Sequence, residues 1–470
     1  MSADLGLKSI RTRTLRVTIL LLVTLLLIGF WMAMSNKDTS QFEYYVDQRE
    51  EPKSADEIFN NKDLDWQTAT RDEMNFGQTN DIIWVKLNDS LFKSGQNIID
   101  IAFRQLDEVS LYTLDATSGV LLDTQASGDH LLFDQKSYAS ERVLFSVEKM
   151  DSEIVVLIRS ETTGANALPI RIYDFSEFLE SHDFIGLTVT LFLGFALIVI
   201  IMDIIWYSMY ALKSSIYYAI IIFGLCVTIA FHYRVINILL PNIPVEWQHS
   251  VLLFGMMLAF YGGSECMRHM LLEWSENSYD KWLKWIPMIT IITFLLAVSV
   301  NYAMALNIIF PYILLTAVIL IALPIHYINN NRANVYTGAA LTFVISWAFF
   351  LVGAGMQILM EFGALYDEYF VSNALLIGSF GIVICSIVIL SNNIEINKLH
   401  QLITEKELHS AKEVALRVEK MEALAGMSAS LVHDVKNPLN WMLSDISYLG
   451  EIGRTKKDNE IIEISETINE

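Results

Sequence analysis

Hydrophobic and polar positions change rhythm twice along this 470-residue chain. Between residues 36 and 183, short runs rich in Ile, Val, Phe and Tyr alternate with polar residues: "DIIWVKLND", "NIIDIAF", "EVSLYTL", "RVLFSVEK", "EIVVLIRS" and "LPIRIYDF". Turn formers such as "DATSG" and "QASGD" separate them. A period of two marks strands with one face buried, and several at this spacing predict a two-sheet β sandwich. From residue 184 to 391 the alternation gives way to seven apolar runs, at 184–206, 216–233, 251–267, 285–302, 308–327, 337–360 and 371–391. Each is near the roughly 20 residues that carry a helix across a bilayer. One further run, "LRVTILLLVTLLLIGFWMAMS", precedes the sandwich and predicts a signal peptide or anchor helix within residues 1–35. Its Ala33-Met34-Ser35 ending has the small-residue pattern of a cleavage site, so anchor and cleaved signal both stay open.

The second change comes after Ser391, where the chain becomes charged, proline-poor and helical in pattern. Ala411, Val414, Val418, Met421, Ala425, Ser428, Val432 and Val435 recur at alternating steps of three and four, the seam of a coiled coil. Upstream, Ile396, Leu399, Ile403 and Leu408 are out of phase with it. Residues 392–422 read as a linker, and residues 423–470 as the start of a helical hairpin. Its return helix, "NEIIEISETINE", offers Ile461, Ile462 or Ile464, and Ile468 to a seam.

Charge orients these elements. Lys8, Arg11, Arg13 and Arg16 flank the first run and hold its start in the cytoplasm, which exports the sandwich. With the sandwich outside, the inner loops carry Lys213, Arg268, Lys281, Lys284 and Arg332, and the outer loops only Arg234. Both counts place residues 392–470 in the cytoplasm. Trp206, Trp247, Trp282 and Trp285 lie at run ends, as interfacial anchors do. Asp203 and Glu265 are expected near the inner ends, in reach of headgroups or water. His232, Arg234 and His249 sit near the outer surface, where they could meet the sandwich or a ligand; interfacial residues in water is the preferred reading.

Composition narrows the function. The chain is 53% hydrophobic and carries a net charge of −21, which argues against a nucleic-acid partner. Most of the excess acid lies in the exported segment, with roughly thirty Asp/Glu against about a dozen Lys/Arg. The three cysteines, Cys226, Cys266 and Cys385, fall in apolar runs and read as packing residues, and no metal site is expected.

The candidate chemistry lies in "SASLVHDVKNPLNWML". The heptad count puts His433 one residue past the seam, beside the core and open to solvent, where an imidazole lone pair can attack phosphorus. Asp434 can orient the ring or take its proton, and Asn437 lies one turn along the same face. Pro438 removes the amide that the carbonyl of Asp434 would bond, so the helix should bend there. "HDVKNPL" resembles the H-box of sensor histidine kinases. The resemblance implies that His433 is the phosphoacceptor, Asp434 the assisting base, Asn437 a support for dephosphorylation and Pro438 the family's bend.

The front of the chain, "DEIFN…FGQTNDIIWVKLND…EVSLYTLD…SGVL" followed by seven membrane runs, resembles the bacterial seven-transmembrane receptors with diverse intracellular signalling modules. Gly77 to Leu87 is the most specific part, and the resemblance spans Glu43–Ser391. It implies a jelly-roll-like extracytoplasmic sandwich that senses a ligand, a carbohydrate among the candidates. Trp66, Trp84 and Tyr112 have faces a sugar could stack on, although the core reading is preferred.

The fold class expected is therefore a multidomain protein of the bacterial inner membrane: an all-β exterior, a seven-helix bundle with an N-terminal helix, and a cytoplasmic coiled coil entering a dimerisation hairpin. Its function would be that of a two-component sensor, forming a homodimer through its cytoplasmic helices and passing phosphoryl to a response regulator. No glycine-rich lid or asparagine box for ATP follows, so the chain is expected to be truncated before the domain that would bind ATP and Mg, and inactive alone. Two alternatives stay open: a non-catalytic receptor or scaffold recruiting a partner kinase, and a small-solute transporter, which the helix count fits although this sequence lacks the charged or broken midplane helices of that class.

Overall fold

The computed structural model describes residues 41–48, 52–61, 63–70, 73–131, 135–138, 140, 142–149, 152–180, 184–240, 243–274, 283–300, 302–330, 337–364, 373–456 and 459–469. Of the expected N-terminal helix only residues 16, 19–20 and 23–24 are described, all helical. The choice between signal and anchor, Lys281, Trp282 and Arg332 lie outside the described residues. The chain divides into two compact units, Met1–Ile394 and Glu395–Glu470.

The first unit begins with eleven described strands: β1 Gln41–Asp47, β2 Gln67–Thr70, β3 Asn75–Gln78, β4 Ile82–Asn88, β5 Gly95–Ile101, β6 Glu108–Asp115, β7 Leu121–Ser127, β8 Val143–Lys149, β9 Ile154–Glu161, β10 Ala165–Ala167 and β11 Ile170–Asp174. A six-stranded sheet in the order β2-β1-β4-β9-β6-β7 faces a three-stranded sheet β11-β5-β8, with β10-β3 as a separate pair, and every pairing is antiparallel. Alternation makes the core between the sheets: Val85, Leu87, Val109, Leu111, Val156 and Ile158 from one meet Ile99, Ile101, Phe145 and Val147 from the other.

The intervening positions of β4, β6 and β9 are buried too. Ile82, Trp84, Leu114 and Leu157 form a second, smaller core on the outer face of the large sheet, closed by Ile58 of helix α1, Ala55–Asn60. Ser54 and Glu57 fix that helix start with a capping box. Trp84 is fully buried, with its ring 5.9 Å from Tyr112, and Trp66 packs at the edge of the same cluster. Trp84 is therefore a core residue, and Trp66 and Tyr112 are half-buried against it. "QASGD" is not a turn throughout: Gln125–Ser127 complete β7, and the chain turns only at Gly128.

A short helix α2, Phe175–Glu180, leads into the apolar helices α3 Phe184–Tyr210, α4 Lys213–His232, α5 Ile236–Leu239, α6 Val245–Trp274, α7 Trp285–Val298, α8 Tyr302–Asn330, α9 Thr337–Glu361 and α10 Ala374–Lys456. Six of these are long and apolar enough to cross a membrane; α7, with 14 residues, is a shorter apolar helix. At 1.5 Å per residue α7 reaches about 21 Å, less than the ~30 Å hydrocarbon layer. Helices α4 and α6 touch backbone to backbone: a Cβ on Gly224 would stand 2.6 Å from the nitrogen of Ala259, and one on Gly255 2.8 Å from that of Thr228. Close approach through small residues is how membrane helices gain contact without a hydrophobic driving force between them.

On α3 the buried stripe is Val189, Phe192, Ala196, Val199 and Asp203, at steps of three and four. The register that builds the bundle core thus turns Asp203 inward. It is 0% exposed, and neither carboxylate oxygen has a hydrogen-bond partner among the described residues. This corrects the expectation of an Asp203 in water. Glu265 is buried as well, and is paired with Arg268 at 2.9 Å.

The second unit holds the remainder of α10 and helix α11, Asn459–Asn469. Helix α10 continues through Pro438 without ending. The return helix packs against its last turns: Ser465 Oγ donates to the carbonyl of Ile446 at 3.0 Å, Arg454 pairs with Glu466 at 3.0 Å, and Ile461 and Ile462 cover Gly453. Ile464 and Ile468 are instead 60% and 55% exposed within the chain, so they do not serve this seam.

Candidate functional site

Two places combine chemistry with position. The first is the junction at which the β domain closes over helix ends. A helix leaves its last carbonyls without intrahelical partners. At the end of α4 the β5–β6 loop supplies them: Arg104 Nη1 donates to the carbonyl of Tyr233 at 3.0 Å, and Gln105 Nε2 to that of His232 at 3.2 Å. Gln105 Nε2 also lies 2.8 Å from His232 Nδ1. The guanidinium additionally suits the negative end of the helix dipole. At the end of α9, Asn75 Nδ2 donates to the carbonyl of Met360 at 2.9 Å, and Met360 with Met356 enters the sandwich core.

Gly77 explains why its stretch of sequence is distinctive. With φ of 64° it faces Gly363, whose φ is 72°, and a Cβ on Gly77 would meet the backbone of Phe362 at 2.7 Å. Only a residue without a side chain permits both the left-handed backbone and this contact.

Arg234 follows α4 in a turn of its own, with φ of 59°. It is 4% exposed, and its guanidinium bonds the carboxylate of Asp129 in the β domain and the side chain of Gln248 on α6. His232 and Arg234 therefore join the exterior domain to the bundle and are not interfacial residues in water; His249 lines the same cavity with Gln105, Asp107 and Asp129. Burial pushes the Asp129 carboxyl above the usual carboxylate range, with Arg234 opposing the shift. Asp107 is held by Thr163, whose amide and hydroxyl both donate to its Oδ2 at 2.7 Å.

Asp107, Asp129 and His130 offer ligand atoms within 4.8 Å of one another. Sequence reading missed this group because its members lie on two sides of a hairpin, more than twenty positions apart. Only the adjacent pair in "SGDH" carried a local signal.

The second place is the exposed face of α10. His433 and Asp434 have side chains 72% and 71% exposed, with His433 Nδ1 3.6 Å from Asp434 Oδ1. Asn437 Nδ2 stands 3.4 Å from the same ring nitrogen, as an i, i+4 pair on one face must. Pro438 is one residue on, inside the helix. The four sequence-predicted residues are thus adjacent, with the ring in solvent and both polar neighbours on its Nδ1 side.

Comparison with known families defines the class of protein. Residues 39–174 match the family described as 7TMR-DISM extracellular 2, and residues 186–393 match the family described as 7TM diverse intracellular signalling. The chain carries both receptor domains of this class, an extracellular sandwich followed by membrane helices, which is the build of a transmembrane sensor. No curated protein matches the chain.

Proposed function

We propose that this transmembrane sensor signals by phosphorylation of His433 and belongs functionally to the histidine kinases of bacterial two-component systems, in the inner membrane with residues 392–470 in the cytoplasm. The observation that carries this reading is the solvent-exposed His433 with Asp434 and Asn437 both beside its Nδ1. At 3.6 Å Asp434 is just beyond hydrogen-bonding distance of Nδ1; a small rotation that lets its carboxylate accept the Nδ1 proton would leave the Nε2 lone pair free to attack. Nε2 attacks the γ-phosphorus of ATP, the bond to the bridging oxygen breaks, and ADP leaves with the electron pair. The Nδ1 proton passes to Asp434, and the phosphoryl group moves on to a carboxylate of a response regulator. Asn437 is placed to orient a water when the signal is reversed. ATP and Mg would be bound by a separate nucleotide-binding domain.

A second copy of the chain is the partner the helix calls for. Val414, Val418, Met421, Val432 and Val435 are each more than half exposed within one chain, and they repeat at coiled-coil spacing. A paired seam would bury them and set His433 beside its edge.

The test is labelling with radioactive ATP in membranes of the cells that make the protein. Acid-labile, alkali-stable label should appear on the chain, vanish in His433→Gln, and fall by about two orders of magnitude in Asp434→Asn. Label that persists in His433→Gln, or an unlabelled wild type, refutes the assignment.

A further inference from the structure

We infer that Asp107, Asp129 and His130 form a binding site for one divalent transition cation of the zinc or manganese kind, at the junction between the exterior domain and the helices. The proposal does not depend on His433.

The site is built by backbone pairing. Strands β6 and β7 are joined as a hairpin, and beyond its open end Asp129 N donates to the carbonyl of Leu106 at 2.7 Å and His130 N to that of Asp107 at 3.0 Å. Gly128, with φ of 132°, lets the two segments close, since a Cβ there would stand 2.4 Å from the carbonyl oxygen of Asp107. The pairing brings the three side chains to one spot.

Their spacing admits a shared ion. His130 Nε2 and Asp107 Oδ1 are 3.7 Å apart, beyond a hydrogen bond. Two donors each about 2.1 Å from one tetrahedral ion stand roughly 3.4 Å from each other. Independently of the cluster, Asp129 Oδ1 is buried without a hydrogen-bond partner among the described residues, while the side chain as a whole is 4% exposed. A buried carboxylate oxygen with no donor is costly, and a bound cation would satisfy it.

The outer shell is also in place. Thr163 holds the second oxygen of Asp107, and Arg234 the second oxygen of Asp129, as groups behind metal-binding carboxylates commonly do. An imidazole with two carboxylates suits zinc or manganese better than calcium, which takes six to eight oxygens. Three protein ligands leave positions open to water or to an external ligand. Because Asp129 also bonds Arg234, occupancy would be felt where the sandwich meets α4 and α6.

The experiment uses the full chain, tag-free and chelator-treated, in phosphatidylcholine nanodiscs. Equilibrium dialysis with elemental analysis should find a single saturable zinc or manganese ion per chain, and a raised unfolding temperature with it. His130→Gln, at an exposed side chain, should keep the fold and lower affinity about 10-fold or more, and Asp107→Asn should do the same. Absence of saturable binding, binding unchanged in both variants, or binding of calcium in preference to zinc and manganese would each overturn the site.

Discussion

The junction and the exposed stretch of α10 treat their unsatisfied groups in opposite ways. At the junction the carbonyls at the ends of α4 and α9 are bonded by Arg104, Gln105 and Asn75, and two methionines of α9 complete the sandwich core. Along α10 the seam from Val414 to Val435 remains exposed within the single chain, as does the His433 ring. The receptor side is finished by contacts inside one chain; α10 leaves an apolar face and the His433 ring open to partners. A sensor benefits from that division, because a stiff joint transmits a change of shape and an unsaturated helix has alternative pairings to switch between.

Four variants would break or sharpen the contrast. The largest effect is expected at Arg234→Ala, which leaves Asp129 buried without its cation. Losing one partner of a buried pair costs about 3–5 kcal/mol, so thermal unfolding of the full chain should come markedly earlier. If Arg234→Ala melts like wild type, the joint is not held there.

Next in size, Val418→Glu combined with Val432→Glu would place carboxylates in the proposed seam. Cysteine cross-linking between cytoplasmic helices should then fall to background while the receptor unit keeps its unfolding temperature; cross-linking at wild-type yield would remove the dimer from the account. Gly77→Ala should cost about 1–3 kcal/mol through its left-handed backbone and its collision with Phe362, read as a lower unfolding temperature. The smallest change belongs to Asp203→Asn. An amide does not carry the charge that this unpartnered site must desolvate, so stability should hold or rise slightly. A clear loss of stability would mean that the carboxylate has a partner in the working membrane.

Much of the architecture was legible beforehand. Strands β4, β5, β6, β8, β9 and β11 lie on the runs whose alternation marked them, and each of the seven apolar runs after residue 184 falls mainly on one helix, α3, α4, α6, α7, α8, α9 or α10. Strand β7 escaped because Leu121 to Thr124 are exposed on both faces of an edge strand, and leucines and polar residues there follow no alternation. The grouping of His433, Asp434 and Asn437 was also legible, since residues four apart on a helix share a face wherever that helix lies.

The junction was not. Arg234 and His232 looked like residues at a membrane surface because nothing nearby in sequence could pair with them; their partners, Asp129 and Gln105, are more than a hundred positions away. Asp203 was misjudged for a related reason: hydropathy locates a run along the membrane normal but does not say which side of the helix meets the bundle.

What the amino-acid order determined by itself was therefore periodicity, span, orientation and the short helical motif, because each is set by neighbours within a few residues. Tertiary structure alone decided which helix ends the sandwich closes, which glycines must stay bare, and that two carboxylates and an imidazole converge beside Arg234. Those contacts arise only when distant segments are packed together, and packing, unlike periodicity, leaves no local trace in the chain.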